Sequence, residues 1–306
     1  MSSLRNISVD DLPYKMTYSL SIFHIVCSST ILVTGIFVNL CSICAIFRLK
    51  LFRETSVIFT LHLIVVNLTA SIVVMPIALL NTVSWTGKKD IQCRVTGYIV
   101  FVFIGVKMCS ITLISVSTYL NVAHAVSVKT FFSKTHNVAL CLISTWTLPC
   151  FNMSLPLTEV WGEFIVVKHM PWCFPLAGGY GTYLVCFSLV ITMSALLLSY
   201  IGIVKTVLQS RRKVKGIEHP DVVTRKKNNN ERQLVVAVII MVTSYSILFL
   251  PTSILPIADP NFSLGIYAHA ILTYFLWTSN IVETLIYSIL HSKIRKGIKS
   301  FVTCKW

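Results

Sequence analysis

Charge is what this chain has least of. Only 12% of its 306 residues are Asp, Glu, Lys or Arg, about half the share of a soluble domain. Hydrophobic residues make up 55% and the mean hydropathy is +0.77, which excludes an ordinary soluble globular class. Acids are scarcer still, at 11 against 26 Lys and Arg. Internal repeats and paired Gly/Pro-broken helices are absent, which argues against common transporter architectures. His24, His62 and His269 fall on separate apolar segments without a carboxylate neighbour, so a zinc-dependent membrane hydrolase lacks its ligand set. A membrane enzyme or transporter is left as a minor alternative, and no cofactor or metal is expected. Met1–Lys15 is polar, with Arg5, Asp10 and Asp11 ahead of any apolar run. No cleavable signal peptide is expected, and the first apolar helix would serve as its own insertion signal.

What the chain does have is long apolar runs. Seven are long enough to span a bilayer, at 20–47, 56–84, 92–123, 137–158, 178–208, 232–257 and 264–290. The fold class expected is all-α, a seven-transmembrane helix bundle in a multi-pass protein of the plasma membrane. An odd number of crossings puts the termini on opposite sides. With the N-terminus outside, 19 of the 26 Lys and Arg and four of the 11 acids are cytoplasmic, a net +15. Six of each sign lie outside and balance, and one of each is left within the membrane. Basic residues inside are the orientation signal of membrane proteins. Residues 1–19 then form an extracellular N-terminus, 20–290 the transmembrane domain, and 291–306 a cytoplasmic amphipathic helix and tail. Such a basic inner face reads as contact with membrane lipids and protein partners, with no nucleic acid implied.

Cysteine usage agrees with this topology. Of ten cysteines, only Cys93 and Cys173 fall outside; seven lie in apolar segments and Cys304 stands on the cytoplasmic tail. Two cysteines alone in an oxidising compartment suggest one disulfide, Cys93–Cys173. Asn6-Ile-Ser and Asn261-Phe-Ser are outer-face glycosylation sequons, whereas those at Asn67 and Asn152 lie within helices.

The two intramembrane charges are Lys107, in the third segment, and Glu283, in the seventh. A bare charge at mid-bilayer costs several kcal/mol and is rare unless paired or lining a cavity. Opposite signs suggest a direct pair. The alternative is that they face different places, with Lys107 snorkelling and Glu283 protonated. Lys107 lies about 21 Å of helix below Cys93 at 1.5 Å per residue, deep for snorkelling.

Several landmarks occur in a fixed order. Gly35-Ile-Phe-Val-Asn39 is in the first segment, Met75-Pro76 ends the second, and Trp85-Thr-Gly87 precedes Cys93. Trp146 is in the fourth, Tyr200 in the fifth, Phe249-Leu-Pro251 in the sixth and Tyr287 in the seventh, ahead of the amphipathic stretch His291–Phe301. Together these resemble the rhodopsin-like G-protein-coupled receptors over nearly the whole chain. Within that family, Trp85–His124 and the Trp277–Tyr287 spacing look most similar to the melatonin, medium-chain fatty acid and moody/trapped-in-endoderm receptors. The resemblance implies a small-molecule ligand outside and a heterotrimeric G protein or arrestin inside.

The departures from the family pattern are specific. Ser117-Thr118-Tyr119 replaces Asp-Arg-Tyr, so the arginine that meets the G protein is missing and Glu231, where its lock acid would stand, has no such partner. Glu283-Thr-Leu-Ile-Tyr287 replaces Asn-Pro-x-x-Tyr, and the second-helix aspartate is Asn67. The resemblance places a sodium site at that aspartate, a third-helix serine and seventh-helix polar residues. Here Lys107 replaces the serine, and the reading is an internal cation bonded to Asn67, Ser279, Asn280 and Glu283, with Asn39 in the same central polar cluster.

By family position, Val100, Phe101, Ile104, Phe249, Thr252, Thr273 and Trp277 line the ligand pocket. Each is equally readable as plain helix packing. Val100 stands where amine receptors keep an aspartate, so a small, non-amine, neutral or lipid-like apolar ligand is expected. A seventh segment without lysine excludes a retinal Schiff base, and His269 near its outer end is a candidate partner for a carboxylate headgroup. Thr118, Tyr119, Tyr200, Glu231 and Tyr287 would face the G protein. Lys293–Phe301 alternates basic and apolar residues at helical spacing and should lie on the inner leaflet, with Cys304 after it as a palmitoylation site. A receptor-like protein with weak or no G-protein coupling is the main alternative, because both signalling motifs are degenerate.

Overall fold

The computed structural model describes residues 18–84, 91–123, 130–166, 173–175, 179–187, 193–194, 196–202, 205, 222–258, 264 and 266–302. Long apolar runs make helices here because every backbone polar group must be satisfied within the segment in a lipid environment. The helices are α1 (Tyr18–Arg48), α2 (Thr55–Thr69, continued by Met75–Ser84), α3 (Ile91–Ala123) and α4 (Thr135–Leu157). They continue with α5 (Tyr180–Cys186, helical again over 196–202), α6 (Val222–Ala258), α7 (Ile266–Leu290) and α8 (Ser292–Val302). Among the described residues, five stretches are long and apolar enough to cross a membrane, in α1, α2, α3, α4 and α6. Helix α7 carries the polar residues of the central cluster, which lower its hydropathy, yet it is 25 residues long.

Two helices differ from the hydropathy reading for physical reasons. Helix α2 passes through a π-helical turn, Ala70–Val74, before resuming at Met75. Pro76 lacks an amide proton and its ring crowds the preceding turn, and a wide turn is a common way to absorb this. Helix α6 begins at Val222, ten residues before the apolar run. Lys, Arg, Gln and Glu are good helix formers, so the helix continues past the stretch that hydropathy marks.

Side-chain size sets the contacts between helices. A Cβ on Gly35 would meet Ser71 Oγ at 2.5 Å, and one on Gly105 would meet Pro149 Cβ at 2.7 Å. Both glycines thus permit close approach, of α1 to α2 and of α3 to α4. Lower in the bundle, Phe59, Leu63, Ile111, Met241 and Tyr245 centre one apolar core. Above it, Val74, Met75, Val100, Tyr274 and Trp277 form a second. Helix α8 packs Ile294 against Ala45, Ile46 and Tyr287. Its amphipathic face accounts for this docking, and a Cβ on Gly297 would meet Leu49 Cδ1 at 2.7 Å.

At the end of the bundle that the charge pattern assigns to the outside, an antiparallel hairpin joins β1 (Phe164–Val166) and β2 (Cys173–Pro175), with Ile165 opposite Phe174. Cys173 is disulfide-bonded to Cys93 at the head of α3, with Cα atoms 5.2 Å apart. Gly97 lets the hairpin lie on α3, since a Cβ there would meet Cys173 O at 2.5 Å. Beside this contact, Arg94 bridges Glu159 at 3.1 Å.

Candidate functional site

Helices α2, α3 and α7 each turn one polar stripe to the bundle axis, and these stripes meet at Lys107. Its ammonium lies 3.3 Å from Glu283 Oε1. It donates to Ser279 Oγ at 2.5 Å and to Asn280 Oδ1 at 2.7 Å. Three partners match the three protons of an ammonium. Lys107 is 6% exposed and Glu283 1%, so neither charge reaches water. Direct pairing therefore holds, and the arrangement with Lys107 snorkelling is set aside.

One expected contact is absent. Asn67 takes no bond from Lys107; it lies on the other side of the carboxylate and donates from Nδ2 to Glu283 Oε2 at 3.3 Å and to Thr284 Oγ1 at 3.4 Å. The ammonium has no proton left for it. Thr284 donates to Asn39 Oδ1 at 2.7 Å, and Asn39 donates to Gly35 O at 2.7 Å and Asn280 O at 3.3 Å. All six residues assigned to the cluster thus form one connected network across four helices. Thr284 belongs to it as well, and its signal in the sequence was only that it follows Glu283 where the family keeps proline.

Above the pair, Val100, Phe101, Ile104 and Trp277 share an apolar cluster with Phe174 of the hairpin, whose ring stands edge-on to Phe101 at 5.2 Å. Phe249 sits one turn above Tyr245, with the two rings stacked at 5.2 Å, and packs with Ile104. Thr252 Oγ1 donates to Leu272 O at 2.8 Å, tying α6 to α7, and Thr273 is buried. No charged side chain stands among these seven. Beneath them a cavity of about 10 Å³ is bounded by Lys107, Tyr245, Trp277 and Asn280, with Phe103, Ile104 and Leu276 among its apolar walls. Tyr245 was not singled out from sequence; four residues before Phe249, it shares that residue's helix face.

A separate polar contact joins α2, α3 and α4. Trp146 Nε1 donates to His62 Nε2 at 2.9 Å, and His62 Nδ1 meets Ser110 Oγ at 3.2 Å. An indole can only donate, so His62 must be neutral with its proton on Nδ1. At the opposite end from the hairpin, Thr118 is 6% exposed and donates to Ile114 O of its own helix at 2.7 Å. Tyr119 fills the space beside Gly202 of α5. Tyr200 is partly exposed, whereas Tyr287 is buried beside His291. The site residues Asn6, Asn261 and Cys304 lie outside the described residues, as do the side chains of Glu231 and His269. Asn67 and Asn152 are buried within helices.

A connected polar network inside a seven-helix bundle, below a disulfide-anchored hairpin, narrows the comparison to one family. A profile of the 7 transmembrane receptor (rhodopsin family) matches residues 38–286. The chain belongs to the rhodopsin family of seven-transmembrane receptors. The fold agrees: squid rhodopsin superposes with a TM-score of 0.76 at 19% identity, over 95% of this chain and 86% of that one. Two curated relatives are named G-protein coupled receptor moody. The Drosophila pseudoobscura pseudoobscura protein is 26% identical over 205 residues, which is 65% of this chain and 30% of that protein. The Drosophila melanogaster protein is 26% identical over 203 residues, 64% and 30% respectively. The receptor spans about a third of the length of these relatives. It is a multi-pass membrane protein of a receptor class, not an enzyme class.

Proposed function

We propose that this receptor takes a small, non-amine, apolar ligand between the hairpin and Trp277 and signals to a heterotrimeric G protein or arrestin. The observation carrying the ligand class is the chemistry of the walls. Val100, Phe101, Ile104, Phe249, Thr252, Thr273 and Trp277 offer apolar surface with two hydroxyls, and no carboxylate for an ammonium. The basic inner face, in this reading, serves lipid and transducer contact, with residues 1–19 outside and 291–306 on the inner leaflet. The central cluster supplies its own cation through Lys107 and its own anion through Glu283, holding α3 to α7.

A second reading, weak coupling, has its own support. Thr118 replaces the arginine that would reach a G protein, and its hydroxyl is spent on its own helix. A G-protein dissociation assay in cells, screened against neutral lipids, fatty acids and amines, tests both. Responses to apolar compounds that are lost in Phe101→Ala would support the first reading; responses to amines alone would overturn the ligand class. Silence of the native receptor with a ligand response in Thr118→Arg would favour the second.

A further inference from the structure

The cavity between Lys107 and Trp277 has an uneven inventory of hydrogen-bonding groups. Among the described residues, Trp277 Nε1, Tyr245 Oη and Asn280 Nδ2 have no hydrogen-bond partner. All three side chains border the cavity, and each residue is at most 3% exposed. Together they offer up to four protons, and an indole or amide nitrogen can only donate. A buried donor left without a partner is destabilising, because it has given up its hydrogen bond to water. Such a set asks for an acceptor.

Charge has a direction here too. Lys107 borders the cavity, with its ammonium 6.0 Å from the centre of the Tyr245 ring; Glu283 does not border it. Glu283 turns its second oxygen away, to Asn67. The ion pair thus presents its positive end to the cavity. Space is limited to about 10 Å³, room for one small occupant. A water brings two protons of its own and needs acceptors for them. Asn280 Oδ1 already accepts from Lys107, which leaves little beyond the Tyr245 hydroxyl.

We propose that this cavity is a binding site for one small monovalent anion, of the halide class, held by Trp277 Nε1, Tyr245 Oη and Asn280 Nδ2 beside the Lys107 ammonium. A halide accepts from all three and carries no protons to satisfy. Glu283 already neutralises Lys107, so the three donors, rather than the ion pair, hold the charge. The anion would brace α6, through Tyr245, against α3 and α7. The site lies below the proposed ligand position, so it is independent of which ligand the receptor takes.

The test uses the full chain, purified in detergent, with sodium and ionic strength constant and the anion varied among chloride, bromide and gluconate. A binder specific to the folded state raises the unfolding midpoint by an amount that grows with ligand concentration over its Kd. Higher midpoints in chloride and bromide than in gluconate are expected, with most of the increment lost in Tyr245→Phe and in Trp277→Phe. Tyr245→Phe keeps the ring and removes one oxygen, so it remains informative if the tryptophan variant fails to fold. Bromide crystals should give an anomalous peak within hydrogen-bonding distance of Trp277 Nε1. Equal midpoints in halide and gluconate, an increment that persists fully in Tyr245→Phe, or a water alone at that position would overturn the proposal.

Discussion

Removing either member of the Lys107–Glu283 pair should harm the fold more than removing both. At 3.3 Å and an effective dielectric of about 20, two unit charges attract by about 5 kcal/mol. Burial offsets much of that gain, so the net worth of the pair against an apolar substitute is small, whereas breaking a buried pair costs about 3–5 kcal/mol. Lys107→Met leaves the Glu283 carboxylate, 1% exposed, with the neutral Asn67 and Ser279 but no counter-charge. Glu283→Gln leaves the ammonium with Ser279 and Asn280 but no counter-charge. The double variant removes both charges at similar volume, although Ser279 and Asn280 then lose a donor. It should recover about 2–3 kcal/mol of the summed single losses, the upper range of coupling for residues in contact. A charge swap, Lys107→Glu with Glu283→Lys, should recover less, because a short stem at 107 cannot reach Ser279 and Asn280. The assay is thermal unfolding of purified protein, with surface expression as a second readout. Single losses that add to the double loss within about 0.5 kcal/mol would mean that the two charges do not interact. The account of the cluster would then fail.

Three further outcomes are expected. His62→Ala leaves the Trp146 indole and the Ser110 hydroxyl without their ring partner, costing about 1–3 kcal/mol; Trp146→Phe in that background should add little, which paired unfolding midpoints would check. Sodium should not stabilise the receptor, because Asn67 supplies no carboxylate and the Lys107 ammonium repels a second cation; a midpoint that rises in sodium over a bulky organic cation, at constant chloride, would contradict this. Gly105→Ala should lower the midpoint, since its methyl would meet the Pro149 ring 2.7 Å away and overpacking typically costs about 1–3 kcal/mol; wild-type stability would show that α4 yields freely.

The amino-acid sequence by itself determined that the chain folds as a bundle of apolar helices and that Cys93 pairs with Cys173, and it carries the expectation of seven crossings with the N-terminus outside. These depend on one-dimensional quantities: the length of apolar runs, the side on which Lys and Arg accumulate, and how few cysteines fall outside. It also singled out Lys107 and Glu283, because two charges among so many apolar residues need a reason. What the sequence left open was whether they face each other. That depends on the rotation of α3 and α7 about their axes, which packing at contacts such as Gly105–Pro149 decides. Tertiary structure likewise moved Asn67 to the far side of the carboxylate, since an ammonium with three partners has no proton to spare. Tyr245 became visible only there, since an aromatic residue on an apolar helix looks like any other until its hydroxyl is found buried at the edge of a cavity. His62 tells the same story. In sequence it is one of several scattered histidines; in the bundle it accepts from the Trp146 indole. Which polar atoms are satisfied is a property of three-dimensional neighbours, and no periodicity in the chain encodes it.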